Sequence, residues 1–396
     1  MHVLSTLISS LGLLAQISGA AYTLQDDYGT TDSFFDKFSF FTVCLLVPLT
    51  PPSSPGIFPQ HTRDETFAFQ RLTRQSEIWQ DADPTNGYVS YVDRSTASNG
   101  GLIRSTGSSV YIGVDTRNQA SGSGRQSVRL TSNKSYQHGL VILDLAHMPG
   151  SVCGTWPAFW MLGTNWPSNG EIDIIEGVNT QSANQMTLHT SDGCSIQNSG
   201  FTGSLETSNC FVEASGQPAN SGCAISSNSA QSYGDGFNQV GGGVYATEWT
   251  SSAIKVWFFP RYAIPWDITS GKPNPASWGA PTAAFAGSCN IDSHFNNLQL
   301  VFDITFCGDW AGNVWSSGTC RYKAPTCNSF VQNNPAAFQE TYWSINSLKV
   351  YQDNGSPLGN IHAHAAAHIG GKQAIGQPIA HRRGTAPYIR PGPRPV

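Results

Sequence analysis

Short runs rich in Val, Ile, Phe, Trp and Tyr recur along the chain, many alternating with polar residues and separated by glycine-rich turns. The clearest are GVYATEWT and SAIKVWFFP, roughly Gly243 to Pro260, and LQLVFDITF, from Leu298 to Phe306. Alternation with period two marks strands with one buried face, and no long stretch with helical period competes with it. The pattern predicts an all-β sandwich. One domain of this size is ordinary for such folds.

One strand-like run breaks the apolar rule. Between Asn169 and Gly177 the chain reads NGEIDIIEG, placing Glu171, Asp173 and Glu176 among isoleucines, where ionised groups are costly unless they are paired or used. Strict alternation puts Glu171 and Asp173 on one face and Glu176 on the other. A β-bulge near Ile174 and Ile175 shifts the phase by one residue and returns Glu176 to the face of Glu171. Two carboxyl groups about 5 to 5.5 Å apart suit double displacement at a sugar, in which one attacks the anomeric carbon while the other protonates the leaving oxygen. The spacing assigns Glu171 as nucleophile, Glu176 as general acid and then base, and Asp173 as the group that hydrogen-bonds Glu171. Mutual repulsion and burial keep Glu176 protonated near working pH. For E-x-D-x-x-E alone the alternative is a solvated or metal-binding strand. Trp156, Trp160 and Trp166 just upstream weigh against it, because pyranose rings stack on aromatic faces.

WPAFWML, NWPSNGEIDIIEG, LHTSDGC, GGGVYATEWTSSAIKVWFFPR and CGDWAG together resemble the fungal laminarinase-type members of glycoside hydrolase family 16, which are endo-1,3(4)-β-glucanases. The likeness runs from about Tyr22 to Tyr351. It implies a two-sheet antiparallel jelly roll, concanavalin A-like, with a concave substrate cleft. It also implies the same three roles for Glu171, Asp173 and Glu176. Trp166 matches a sugar-stacking position, His189 one near the carboxylates, and Arg129 and Trp310 look like cleft residues; Trp160 is placed with the substrate-binding aromatics. The bulged E-x-D-x-x-E resembles the laminarinase branch, whereas xyloglucan-modifying relatives have an unbulged E-x-D-x-E.

Residues 1–20 have an apolar middle and small residues suited to cleavage, which reads as a secretory signal. Nine cysteines in an exported chain imply disulfides, with one left over. Eight of them, Cys153 to Cys327, fall in the resembling domain and could make four bridges of undetermined connectivity. Asn133 and Asn354 stand in glycosylation sequences.

Two segments differ in texture. Residues 43–80 hold Cys44, a proline-rich stretch and no strand alternation, and they separate FSFFT from DADPTNGYV, which family members join almost directly. A structureless insertion of this length inside a compact domain is improbable, and a retained intron is the expectation. Residues 354–396 carry five Lys/Arg, six prolines, four histidines and no acid, which reads as a disordered tail.

Without signal, insertion and tail, the domain of 21–353 has 13 basic and 23 acidic residues. That balance disfavours nucleic acid and does not repel a neutral polysaccharide. Sugar cleavage calls for no cofactor, no metal ligands are assigned, and a structural calcium is left open, with nothing in the sequence to indicate one. The expectation is a secreted monomeric endo-acting retaining β-glucanase, with no membrane association after signal removal. The alternatives are a β-glucan transglycosylase bearing identical acids, and a non-catalytic glucan-binding protein, which predicts loss of a carboxylate that this chain retains.

Overall fold

The computed structural model describes residues 22–42 and 83–353. The signal segment 1–20, the 43–80 insertion with Cys44, and the tail 354–396 with Asn354 lie outside the described residues.

Two antiparallel sheets of eight strands each face one another. The first runs, by adjacency, through Ser204–Leu205, Cys223–Ser226, Gln185–His189, Glu171–Glu176, Thr155–Leu162, Leu298–Phe306, Arg129–Tyr136 and Phe38–Phe40. The second is centred on Gly139–His147, flanked by Gly243–Trp249 and by the long Tyr342–Asp353 strand. In each sheet hairpin neighbours alternate with strands brought together from distant parts of the sequence, as a jelly roll requires. The strands expected at Gly243 to Pro260 and at Leu298 to Phe306 are present.

Alternation explains what each face buries. Along Thr155–Leu162, Phe159 and Met161 turn into the core, as do Leu300, Phe302, Ile304 and Phe306 along the neighbouring strand. From the opposite sheet Leu143, Leu145, Val256, Trp343 and Ile345 meet them. Phe302 is central: its ring lies 4.5 Å from Phe159, 6.3 Å from Phe38 and 5.8 Å from Trp343, the last across the sheet interface.

The outer face of the second sheet is apolar too, carrying Leu140, Ile142, Val244, Ala246 and Trp257. The segment after Pro260 folds back over it with Ile264, Ile268 and Trp278. Arg261 anchors this cover through two hydrogen bonds to Asp144, at 3.0 and 2.6 Å. The outer face of the first sheet carries the polar residues described below.

Four disulfides pair the eight domain cysteines: Cys153–Cys320, Cys194–Cys289, Cys210–Cys223 and Cys307–Cys327. Two of them, Cys153–Cys320 and Cys194–Cys289, join residues 167 and 95 positions apart in sequence, which limits the freedom of the unfolded chain.

Phe302→Ala is expected to cost about 3–5 kcal/mol, the range for emptying a fully buried aromatic site. Chemical denaturation checks this; a midpoint within error of the parent would contradict the central placement of Phe302.

Candidate active site

In the strand Glu171–Glu176, each residue is located by its partner across the antiparallel ladder, because directly opposed side chains share a face. Glu171 opposes Leu162, Asp173 opposes Trp160 and Glu176 opposes Ala158. Leu162, Trp160 and Ala158 alternate along one strand and lie together on the outer face. All three acids therefore occupy one face. The ladder permits this because the register slips between Asp173 and Ile175 on that side, and between Asp173 and Glu176 on the other. Ile172, Ile174 and Ile175 are all fully buried in the core. Two successive isoleucines pointing inward are the sign of the bulge.

The face extends across the sheet. One row reads Ala224, Thr187, Asp173, Trp160, Val301, Thr131 and Ser39, and the next reads Ser226, Gln185, Glu176, Ala158, Asp303 and Arg129. Gly170, just before the strand, has φ +78°, and a Cβ there would meet the Phe295 ring at 2.4 Å. Only glycine admits both constraints. The hydrogen bond from Gly163 to the Gly170 carbonyl closes the preceding loop and brings Trp166 back beside the strand.

Each glutamate receives an indole N–H. Trp166 donates to Glu171 at 2.5 Å, and Trp156 donates to Glu176 at 2.8 Å. Trp156 in turn packs edge-on against Trp310, with ring centroids 5.6 Å apart. Trp166 is 44% exposed and offers an open ring surface, whereas Trp160 is 8% exposed. Trp160 and Phe41 flank the guanidinium of Arg129, at 4.8 and 5.3 Å. His189 opposes Glu171 across the ladder, and its Nε2 lies 3.3 Å from Asp173.

Burial holds the Asp173 carboxyl well above the usual range, reinforced by the charge of Glu171 and by the hydrogen bond it shares with Glu171. Burial also raises Glu176 well above its ordinary value, with Asp173 adding to the shift and the Trp156 hydrogen bond opposing it. The cluster thus retains protons that isolated carboxylates would lose. Glu171, Asp173 and His189 also bring one ligand-type atom each within 4.8 Å, the one such group among the described residues.

The sequence-predicted residues come together on this face: Trp160, Trp166 and His189 beside the acids, Arg129 three strands away, and Trp310 against Trp156. Asn133 is exposed, and its side-chain amide donates to the Asp36 carbonyl at 2.9 Å. Sequence reasoning missed the specific task of Trp156, although its alternation with Ala158 and Trp160 puts it on their face. It also missed Asp303, a buried acid that opposes Arg129 and is pushed up to about 7 by burial, an effect Arg129 partly offsets. An acid inside the apolar run LQLVFDITF is the same signal that marked Asp173.

A family description, "XgeA-like, catalytic GH16 domain", matches residues 77–351. The endo-1,3(4)-beta-glucanase of Arthroderma benhamiae is 44% identical over 351 residues, covering 88% of this chain and 68% of that protein. The chain spans 42–47% of the length of six further fungal relatives. Among solved structures, an elongating GH family 16 beta-1,3-glucosyltransferase aligns with TM-score 0.70 at 43% identity. GH16 Laminarinase 16A from Phanerochaete chrysosporium, holding 6-O-glucosyl-laminaritriose in donor and acceptor sites, aligns with TM-score 0.71 at 39% identity. Both alignments cover 84% of this chain and all of the other. With three acids gathered on the outer face of a jelly-roll sheet and this extent of likeness, the chain belongs to glycoside hydrolase family 16 and carries an XgeA-like catalytic domain.

Proposed function

We propose that this chain is a secreted endo-acting β-glucanase that cleaves 1,3-linked or mixed 1,3-1,4-linked glucan with retention of anomeric configuration. The observation that carries the reading is the shared face of Glu171, Asp173 and Glu176, with the proton held on Glu176. In the first step Glu171 attacks the anomeric carbon as the glycosidic bond breaks, and Glu176 gives its proton to the departing oxygen. Glu176, now a carboxylate, takes a proton from water, whose oxygen attacks the same carbon and releases Glu171. Asp173 holds Glu171 by their common hydrogen bond, and Trp166 steadies its Oε2.

A cross-sheet row of seven side chains, at about 4.8 Å per strand, spans roughly 30 Å, which suits a polymer better than one sugar. Trp166 supplies a stacking surface. Trp310 positions Trp156, while Arg129 and Asp303 form a polar wall farther along the row. The bound glucan of the Phanerochaete laminarinase supports the substrate class. The four disulfides favour an exported protein, with glycan attachment at Asn133. The flanks of the 43–80 segment fit direct joining, since Phe41 on one side packs against Tyr91 beyond the other, with centroids 5.9 Å apart. Sequencing the transcript across this junction tests the intron reading, which peptides from 43–80 in secreted protein would refute.

A second reading, transfer of the glucosyl intermediate to another glucan, is favoured by the likeness to the elongating glucosyltransferase. The first half-reaction is unchanged; an acceptor hydroxyl replaces water. Chromatography of products from a labelled short glucan separates the two, since transfer yields chains longer than the substrate.

Glu171→Ala and Glu176→Ala are each expected to lower laminarin hydrolysis by at least about 100-fold while leaving the fold intact. Azide should restore turnover in Glu171→Ala with an inverted glycosyl azide; near-parent activity in either variant rejects the assignment. Trp156→Phe removes a hydrogen bond that favours the charged form of Glu176, so the alkaline limb of the pH profile of kcat/KM should move to higher pH. An unmoved limb, or one displaced downward, contradicts the role given to Trp156.

A further inference from the structure

A bulge leaves backbone groups without ladder partners, and a buried amide or carbonyl in that state is costly. In the catalytic strand the gap opens toward Gln185–His189, where the register passes from Asp173 opposite Thr187 directly to Glu176 opposite Gln185. Asn184, the residue before that strand, fills it. Its Nδ2 donates to the Ile174 carbonyl at 2.8 Å, and its Oδ1 accepts the backbone N–H of Glu176 at 2.9 Å. Both partners are backbone groups of fixed polarity, so the amide has one orientation that satisfies them.

Asn184 is itself locked. It is fully buried; its N–H donates to Ser232 Oγ at 3.0 Å, and its carbonyl accepts from Ser227 N–H at 2.8 Å. Every polar group of the residue is engaged, binding the bulge to the 227–232 segment. A buried polar network satisfied in this way holds one geometry. The side chain touches neither sugar nor reacting atoms.

We propose that Asn184 is the positioning residue of the acid/base: its side-chain amide substitutes for the missing strand partner and fixes the bulge that aims Glu176 at the glycosidic oxygen. This rests on the acid/base reading of Glu176. The carboxyl meets Trp156 only if its backbone stays where Asn184 holds it. Alanine at 184 removes both bonds and lets Glu176 drift. Aspartate keeps an acceptor for the Glu176 N–H and loses the donor to Ile174.

The test compares kcat/KM on laminarin, whose leaving group needs a proton, with kcat/KM on dinitrophenyl β-laminaribioside, whose leaving group does not. In Asn184→Ala the laminarin value should fall at least about tenfold, below the about 10²–10⁴-fold worth of a general acid, while the aryl value stays within about threefold. Asn184→Asp should show the same selectivity with a smaller loss, and it serves alone if the alanine variant does not fold. Equal losses on both substrates, accompanied by a lowered Tm, would mean a merely structural residue and overturn the proposal, as would no loss on either. Glu176→Ala run in parallel separates the two claims. If it too loses both substrates equally, the acid/base reading fails; if it discriminates and the Asn184 variants do not, only the present inference fails.

Discussion

One slipped register in one strand underlies the whole site. With strict alternation Glu176 would face the core, where Ile174 and Ile175 now pack, and a carboxyl would stand in the apolar space between the sheets. The bulge reverses that arrangement, sending two consecutive isoleucines inward and the acid outward. Core packing and the gathering of the three acids on one face are therefore set by the same local event. The isoleucines lend the bulge its stability, because a slip in either direction would expose one of them.

Three acids on one face repel one another, and the fold answers with neutral donors more than with cations. Glu171 and Glu176 each receive an indole N–H, and Asp173 shares a hydrogen bond with Glu171. Arg129, flanked by Trp160 and Phe41, belongs electrostatically to Asp303. A guanidinium beside Glu176 would lower its affinity for the proton and spoil a general acid; an indole does so more gently. The tryptophans thus hold the acids in place without discharging them.

Much of this was legible in the chain. Period-two alternation gave the sheets, and the E-x-D-x-x-E spacing implied the bulge, because five positions cannot keep one face of a regular strand. Trp166 was legible as an upstream aromatic and, through the family resemblance, as a sugar-stacking position. Other features were hidden because they depend on the cross-strand register, which is not a local property. Trp156 and Asp303 acquire meaning only once their partners across the ladder are known. Asn184 gave no sign, since a polar residue ahead of a strand ordinarily reads as a turn. The disulfide pairing likewise follows from how distant loops meet and not from cysteine spacing.

The central claim is that the bulge presents Glu171 to the anomeric carbon while Glu176 supplies the proton. Mass spectrometry of the protein treated with a 2-deoxy-2-fluoro laminaribiosyl fluoride, which forms the glycosyl–enzyme and hydrolyses slowly, examines it most directly. The account predicts one disaccharide adduct per chain, on the peptide containing Glu171 and at that residue. An adduct on Asp173 or Glu176, or rapid turnover of the fluoride with inversion and no adduct, would contradict it.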